Sequence, residues 1–128
     1  DRVIFKGIVP FTKVPDYLSA SDIGISYIPL DSPQNIQPPL KIPEYLANGI
    51  PVIATKTIGN KMYIKNRYNG ILMNDSIKSI KSAIVELVNK CDLKIMSRQA
   101  ENSAKKFDNI LIAKKLKKIY KDVRNNVK

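Results

Sequence analysis

Lys41 and Glu44 stand three residues apart in the stretch Pro38-Pro39-Leu40-Lys41-Ile42-Pro43-Glu44-Tyr45-Leu46-Ala47. Residues at that spacing share one face of a helix, so a cation and a carboxylate sit on a common surface. A helix start that follows a parallel strand is where open α/β sheets take ligands, and its free N–H groups attract phosphate. Pro38 and Pro39 have no N–H. That leaves the amides of Leu40, Lys41 and Ile42 as donors, with the Lys41 ammonium as a point charge. An ionised Glu44 accepts two hydrogen bonds at once, and a ribose diol presents two donors at matching spacing. The pair therefore suits a nucleoside diphosphate: cation on phosphate, carboxylate on pentose. The same spacing also describes an i, i+3 ion pair on an exposed helix, which is the simpler reading on spacing alone.

Short elements must position these residues. Val3–Phe5 is a β-branched and aromatic run closed by Gly7 and predicts a buried strand. Val14-Pro15-Asp16-Tyr17-Leu18 opens a short helix that Ser21-Asp22 ends. Ile23–Ile28 predicts a second strand, and residues 29–39, with four prolines, a loop. Leu40–Ala47 predicts a helix. Pro43 is tolerated there because the first four N–H groups of a helix have no intrahelical partner. Asn48-Gly49 stops it. Pro51–Ala54 and Gly70–Met73 predict two further strands, with a brief helix or turn over Lys61–Asn66 between them. Asp75-Ser76 caps a helix from Ile77 to about Lys90, where Ile77, Ile80, Ala83, Ile84, Leu87 and Val88 follow the 3.6 period. Two more helices follow, near 93–106 and 109–125, the last expected to bury Leu111, Leu116, Ile119, Tyr120 and Val123. Short apolar strands alternating with helices are the signature of βαβ units, so the expected fold is α/β, a Rossmann-like parallel sheet flanked by helices.

Composition narrows the chemistry. The 128 residues make one domain, and 44% apolar content is enough for a core. With no His there is no Ser-His-Asp or Cys-His nucleophile system and no His metal site. A single cysteine, Cys91, excludes an internal disulfide and a thiolate zinc site. No apolar run approaches bilayer-spanning length, and no signal peptide is expected. The chain opens on Asp1 rather than Met, directly into strand-like sequence, and is expected to be a piece of a longer protein. The formal charge of +11 favours polyanions: nucleotide phosphates, nucleic acid or an anionic membrane. From Asp108 onward, Lys114, Lys115, Lys117, Lys118, Lys121, Arg124 and Lys128 face only Asp108 and Asp122. That segment reads as a solvated helix face or as a surface for an anionic membrane or a partner. A nucleic-acid-binding module is the rival reading of the charge, but the six Tyr and three Phe are scattered and form no stacking platform. A non-catalytic nucleotide-binding module is the other alternative. No Gly-x-Gly-x-x-Gly turn supports a dinucleotide site.

The run Pro39-Leu40-Lys41-Ile42-Pro43-Glu44-Tyr45-Leu46-Ala47-Asn48-Gly49-Ile50-Pro51-Val52-Ile53-Ala54-Thr55 resembles the donor-site segment of the group 1 (family four) glycosyltransferases of GT-B fold. Val3–Val9 resembles the family's strand-then-glycine element beside the nucleobase, Val14–Asp22 its following helix and strand entry, and Asn69-Gly70-Ile71-Leu72 its Asn-Gly element before the last strand. The resemblance covers roughly residues 3–125 and implies the C-terminal, donor-binding half of a GT-B enzyme. The family's first strands of that half are expected to be missing, in a place between the Val3 and Ile23 strands, and the acceptor-binding N-terminal domain is expected to lie outside this chain.

The implied activity is transfer of a sugar from a nucleoside-diphosphate donor to a glycan or lipid-linked acceptor, of hexosyltransferase type, with retention of configuration and without a metal or other cofactor. Glu44 matches the second Glu of the family's Glu-x7-Glu motif, which holds the donor ribose; Ile36 stands where the first would be. Leu40 and Lys41 match the amides facing the diphosphate, and Gly7 and Val9 match positions whose backbone lines the nucleobase. Of the family's Gly-Gly-x-x-Glu element only Gly59 is kept, with Met62 in place of the acid. The expected partners are the nucleotide-sugar, the missing domain and an anionic membrane surface, not nucleic acid. The expected location is cytoplasmic, peripheral at the inner membrane face. The chain by itself is expected to be inactive.

Overall fold

The computed structural model describes residues 3–126. Three parallel strands, β1 (Gly24–Ser26), β2 (Val52–Thr55) and β3 (Gly70–Met73), form one sheet in the order β1-β2-β3. Gly24 stands opposite Val52, and Val52 opposite Gly70. Helix α1 (Val14–Ser19) precedes β1, α2 (Lys41–Ala47) links β1 to β2, and α3 (Ile58–Lys61) links β2 to β3. Helices α4 (Ile77–Lys90), α5 (Leu93–Ala104) and α6 (Asn109–Asn126) complete the chain. This is the α/β, Rossmann-like arrangement that the alternation of elements predicts.

β2 is buried along its whole length, as a central parallel strand covered on both faces must be. Alternation of side chains across the sheet sends Val52 and Ala54 to one face, where Ile42 and Leu46 of α2, Ile64, and Ala100 and Ala104 of α5 close over them. Ile53 goes to the other face with Ile71, Met73, Ala83 and Leu87 of α4, and Met96. Ile42 and Leu46, one helical turn apart and both fully buried, fix the rotation of α2 about its axis. Gly49, at φ +68°, takes the left-handed conformation that closes α2.

Caps account for several boundaries. Ser76 Oγ accepts from the Ser79 amide at the start of α4, and Asp92 Oδ1 accepts from the Ile95 amide at the start of α5. Thr57 Oγ1 accepts from the Asn60 amide, so α3 begins at Ile58, three residues ahead of the predicted turn. Within the proline-rich loop, Pro33–Ile36 forms a 3-10 turn.

Two expectations are corrected. Val3–Phe5 is not a strand and is not buried: Phe5 is 93% exposed. The segment pairs with no strand, and strand propensity reflects packing on a sheet surface more than a backbone preference, so the apolar run stays irregular and exposed to solvent. α6 is a helix as predicted, but its apolar side chains are not buried among the described residues. Leu111, Leu116, Ile119, Tyr120 and Val123 are all exposed, because the one element α6 packs on substantially is the turn at Lys105–Phe107. On α4, likewise, only the Ile80, Ala83 and Leu87 line is covered, and Ile77 and Val88 face solvent.

Candidate functional site

The burial of Ile42 and Leu46 turns the opposite side of α2 outward, and Lys41 and Glu44 are both exposed there. Neither side chain makes an ion pair or hydrogen bond among the described residues, where the ion pairs are Lys13–Asp16 and Arg67–Glu86. The exposed i, i+3 ion pair that spacing alone allows is therefore not formed. The helix start is partly used: the Ile42 amide donates to the Pro39 carbonyl at 3.4 Å. Among the described residues the amides of Leu40 and Lys41 have no such acceptor.

Two grooves flank this helix. One, of about 440 Å³, opens beyond the C-terminal end of β1 and is lined by Tyr27, Ile28, Gln34, Gln37, Pro38, Leu40 and Lys41. The other, of about 720 Å³, runs between α2 and the start of α6 and is lined by Leu40, Glu44, Tyr63, Glu101, Lys105, Phe107 and Asp108 among others. Leu40 borders both. Lys41 thus stands on the strand-end groove and Glu44 on its neighbour, at either side of the Leu40 ridge. Gly7 and Val9 line neither groove; Gly7 is exposed and Val9 half-buried on the N-terminal segment. Ile36 and Met62, standing where the resemblance expects acids, are both exposed. Among the described residues no group of three His, Cys, Asp or Glu side chains is placed to hold a metal ion.

The walls of the strand-end groove are fixed by polar contacts that sequence spacing does not reveal. Asp75 Oδ1 accepts from the Tyr27 hydroxyl at 2.6 Å, and its Oδ2 from the Leu30 amide at 3.1 Å. That hydrogen bond, aided by partial desolvation and the charges of Asp75 and Asp31, raises the Tyr27 pKa. Thr55 Oγ1 accepts from the Ile28 amide and donates to the Ile28 carbonyl. Asn35 donates to the Leu30 carbonyl and accepts from the Ile58 amide, so it bridges the loop to α3. Asn60, fully buried, donates to the Thr55 carbonyl at 2.8 Å. Gly59 lies against the Gln37–Pro38 backbone so closely that a Cβ there would fall 2.1 Å from the Gln37 carbonyl oxygen. These residues were not predicted as site residues. The only sequence signals for them are polar types at strand ends and a glycine one step inside a helix. Next to Glu44, burial and then the Glu44 charge raise the pKa of Tyr45.

Comparison with curated proteins gives no match. The family model described as Glycosyl transferases group 1 matches residues 1–90, which takes in the strand-end groove, α2, the whole sheet and α4. A match over more than half of the chain, on a parallel α/β sheet with the Pro-Leu-Lys-x-x-Glu turn exposed at its strand ends, establishes the family: the chain belongs to the group 1 glycosyltransferases.

Proposed function

We propose that this chain is the donor-binding part of a glycosyltransferase and holds a nucleoside-diphosphate sugar beside α2. The reading rests above all on one observation: Lys41 and Glu44 are exposed, close in sequence and unpaired among the described residues, Lys41 on the groove beyond the end of a parallel strand and Glu44 on the neighbouring groove across Leu40. The diphosphate lies against the Leu40–Lys41 turn and the Lys41 ammonium, and Glu44 accepts the pentose hydroxyls. The leaving nucleoside diphosphate gains negative charge as the glycosidic bond breaks, and fixed N–H donors with a nearby cation lower that barrier. Gly7 and Val9 are proposed to complete the base-binding side when the N-terminal segment packs against a partner domain. The transfer is of hexosyl type with retention, needs no metal, and uses a glycan or lipid-linked acceptor held by a second domain. The proposed setting is cytoplasmic.

Calorimetric titration with UDP, GDP and ADP tests the site. One of the three is expected to bind. Hydrogen bonds to charged groups contribute about 1.5–3 kcal/mol each, so Glu44→Ala and Lys41→Ala should each weaken that nucleotide by about tenfold to a hundredfold. Chelator should leave the affinity unchanged. Unaltered affinity in both variants would remove the assignment.

A further inference from the structure

The groove between α2 and the start of α6, about 720 Å³ in volume, lies within the range of roughly 300–1,000 Å³ usual for small-molecule sites. A pentose at Glu44 fills only part of it. Tyr63 and Phe107 form an aromatic wall, with ring centroids 4.9 Å apart and planes at 69°. Three carboxylates line the same groove in a chain of formal charge +11. Glu44 is the one given to the pentose. Asp108 Oδ1 accepts from the Ile110 and Leu111 amides at 2.7 and 3.1 Å and is committed to the start of α6. Glu101, exposed on α5, makes no side-chain hydrogen bond or ion pair among the described residues. Lys105, the one cation lining this groove, donates to Asn102 Oδ1 at 2.7 Å.

We infer that this groove takes the base of the donor nucleotide, and that the base is guanine, read by Glu101 at its N1–H and N2–H edge. The inference rests on the pentose being held at Glu44. A carboxylate only accepts hydrogen bonds. Among the common nucleobases guanine alone presents two adjacent N–H donors on its pairing edge, matched to the two oxygens of one carboxylate. Uracil flanks its single N3–H with two carbonyl oxygens. Adenine and cytosine set a ring-nitrogen lone pair beside their amino group. Each of these three would press an acceptor against Glu101, whereas guanine forms a paired, charge-assisted contact. The aromatic wall gives the base an apolar surface to lie beside. Charge sorts the two grooves in the same sense. The strand-end groove has Lys41 as its single charged lining residue, and this one has three acids against one engaged lysine. The diphosphate therefore crosses Leu40 toward the cation, and the hydrogen-bond-donating base stays on the acidic side.

Calorimetric titration of the whole chain with GDP, UDP, ADP and inosine diphosphate tests the inference. GDP is expected to bind about tenfold or more tightly than UDP or ADP. Inosine diphosphate keeps N1–H but lacks the N2 amino group, and should bind about tenfold more weakly than GDP. Glu101→Ala should erase the preference for GDP over inosine diphosphate while leaving thermal unfolding as it was, since the side chain is exposed and unpaired. UDP or ADP binding as tightly as GDP overturns the inference and leaves the nucleotide site beside α2 standing. So does a preference for GDP over inosine diphosphate that survives in Glu101→Ala. Binding of none of the four overturns both.

Discussion

Tyr27 and Asp75 show how single side chains shape a binding surface they need not touch chemically. The Tyr27 hydroxyl and the Leu30 amide both converge on the Asp75 carboxylate, which ties the start of the proline-rich loop to the end of β3. The hydrogen bond favours the protonated phenol, so the folded-state pKa lies above the ordinary value of about 10. For a group whose pKa is raised on folding, the stabilisation is fully present below the unfolded value and is lost as pH rises through the folded one. Tyr27→Phe should therefore lower the melting temperature by a constant amount from neutral pH to about pH 9, and the difference from wild type should vanish above the raised Tyr27 pKa. Melting curves of both proteins across that range check the sign; a gap that widens with pH would contradict it.

At the scale of elements, the loop from Gln37 to Leu40 owes its path to α3. Gly59 meets the Gln37 carbonyl with no room for a side chain, and Asn60 is buried between Thr55 and Ser26. Gly59→Ala should push the Gln37–Pro38 backbone away, destabilise the fold by about 1–3 kcal/mol, the usual cost of overpacking, and weaken nucleotide binding beyond what the stability loss explains. Denaturant unfolding and calorimetry together separate the two effects. Unchanged affinity in a folded Gly59→Ala protein would show that the loop is not positioned by α3. The Lys41–Glu44 pair was legible because its geometry is internal to one helix, and the period of Ile42 and Leu46 already fixes which side is outward. The roles of Gly59 and Asn60 were not legible, because their partners lie on other elements, more than twenty residues away in the case of Gly59 with Gln37 and Asn60 with Ser26. Val3–Phe5 misled for the related reason that a β-rich run becomes a strand only beside another strand. Amphipathic periodicity in α6 revealed a face without revealing what covers it.

For the whole molecule, the sheet covers one face with α2 and α5 and the other with α4, while the N-terminal apolar side chains Ile4, Phe5, Ile8 and Phe11 remain exposed. Apolar surface on that scale marks an interaction region. In the proposed enzyme, the sugar acceptor is held by a second domain facing the grooves beside α2. A radiolabelled-sugar transfer assay on this chain alone is therefore expected to show nucleotide binding without product. Product formed by the isolated chain would contradict the division of labour between donor and acceptor domains.

In the proposed enzyme a nucleoside diphosphate docks at the turn where the proline-rich loop becomes α2. Two-dimensional amide NMR of the chain, titrated with whichever of UDP, GDP or ADP binds, tests it most directly. The largest shifts are expected at the Leu40 and Lys41 amides, extending to Glu44 and to Ile28 across the groove, and are expected to be lost in Lys41→Ala and Glu44→Ala. Saturable shifts centred elsewhere, with the amides of residues 40–44 unmoved, would contradict it.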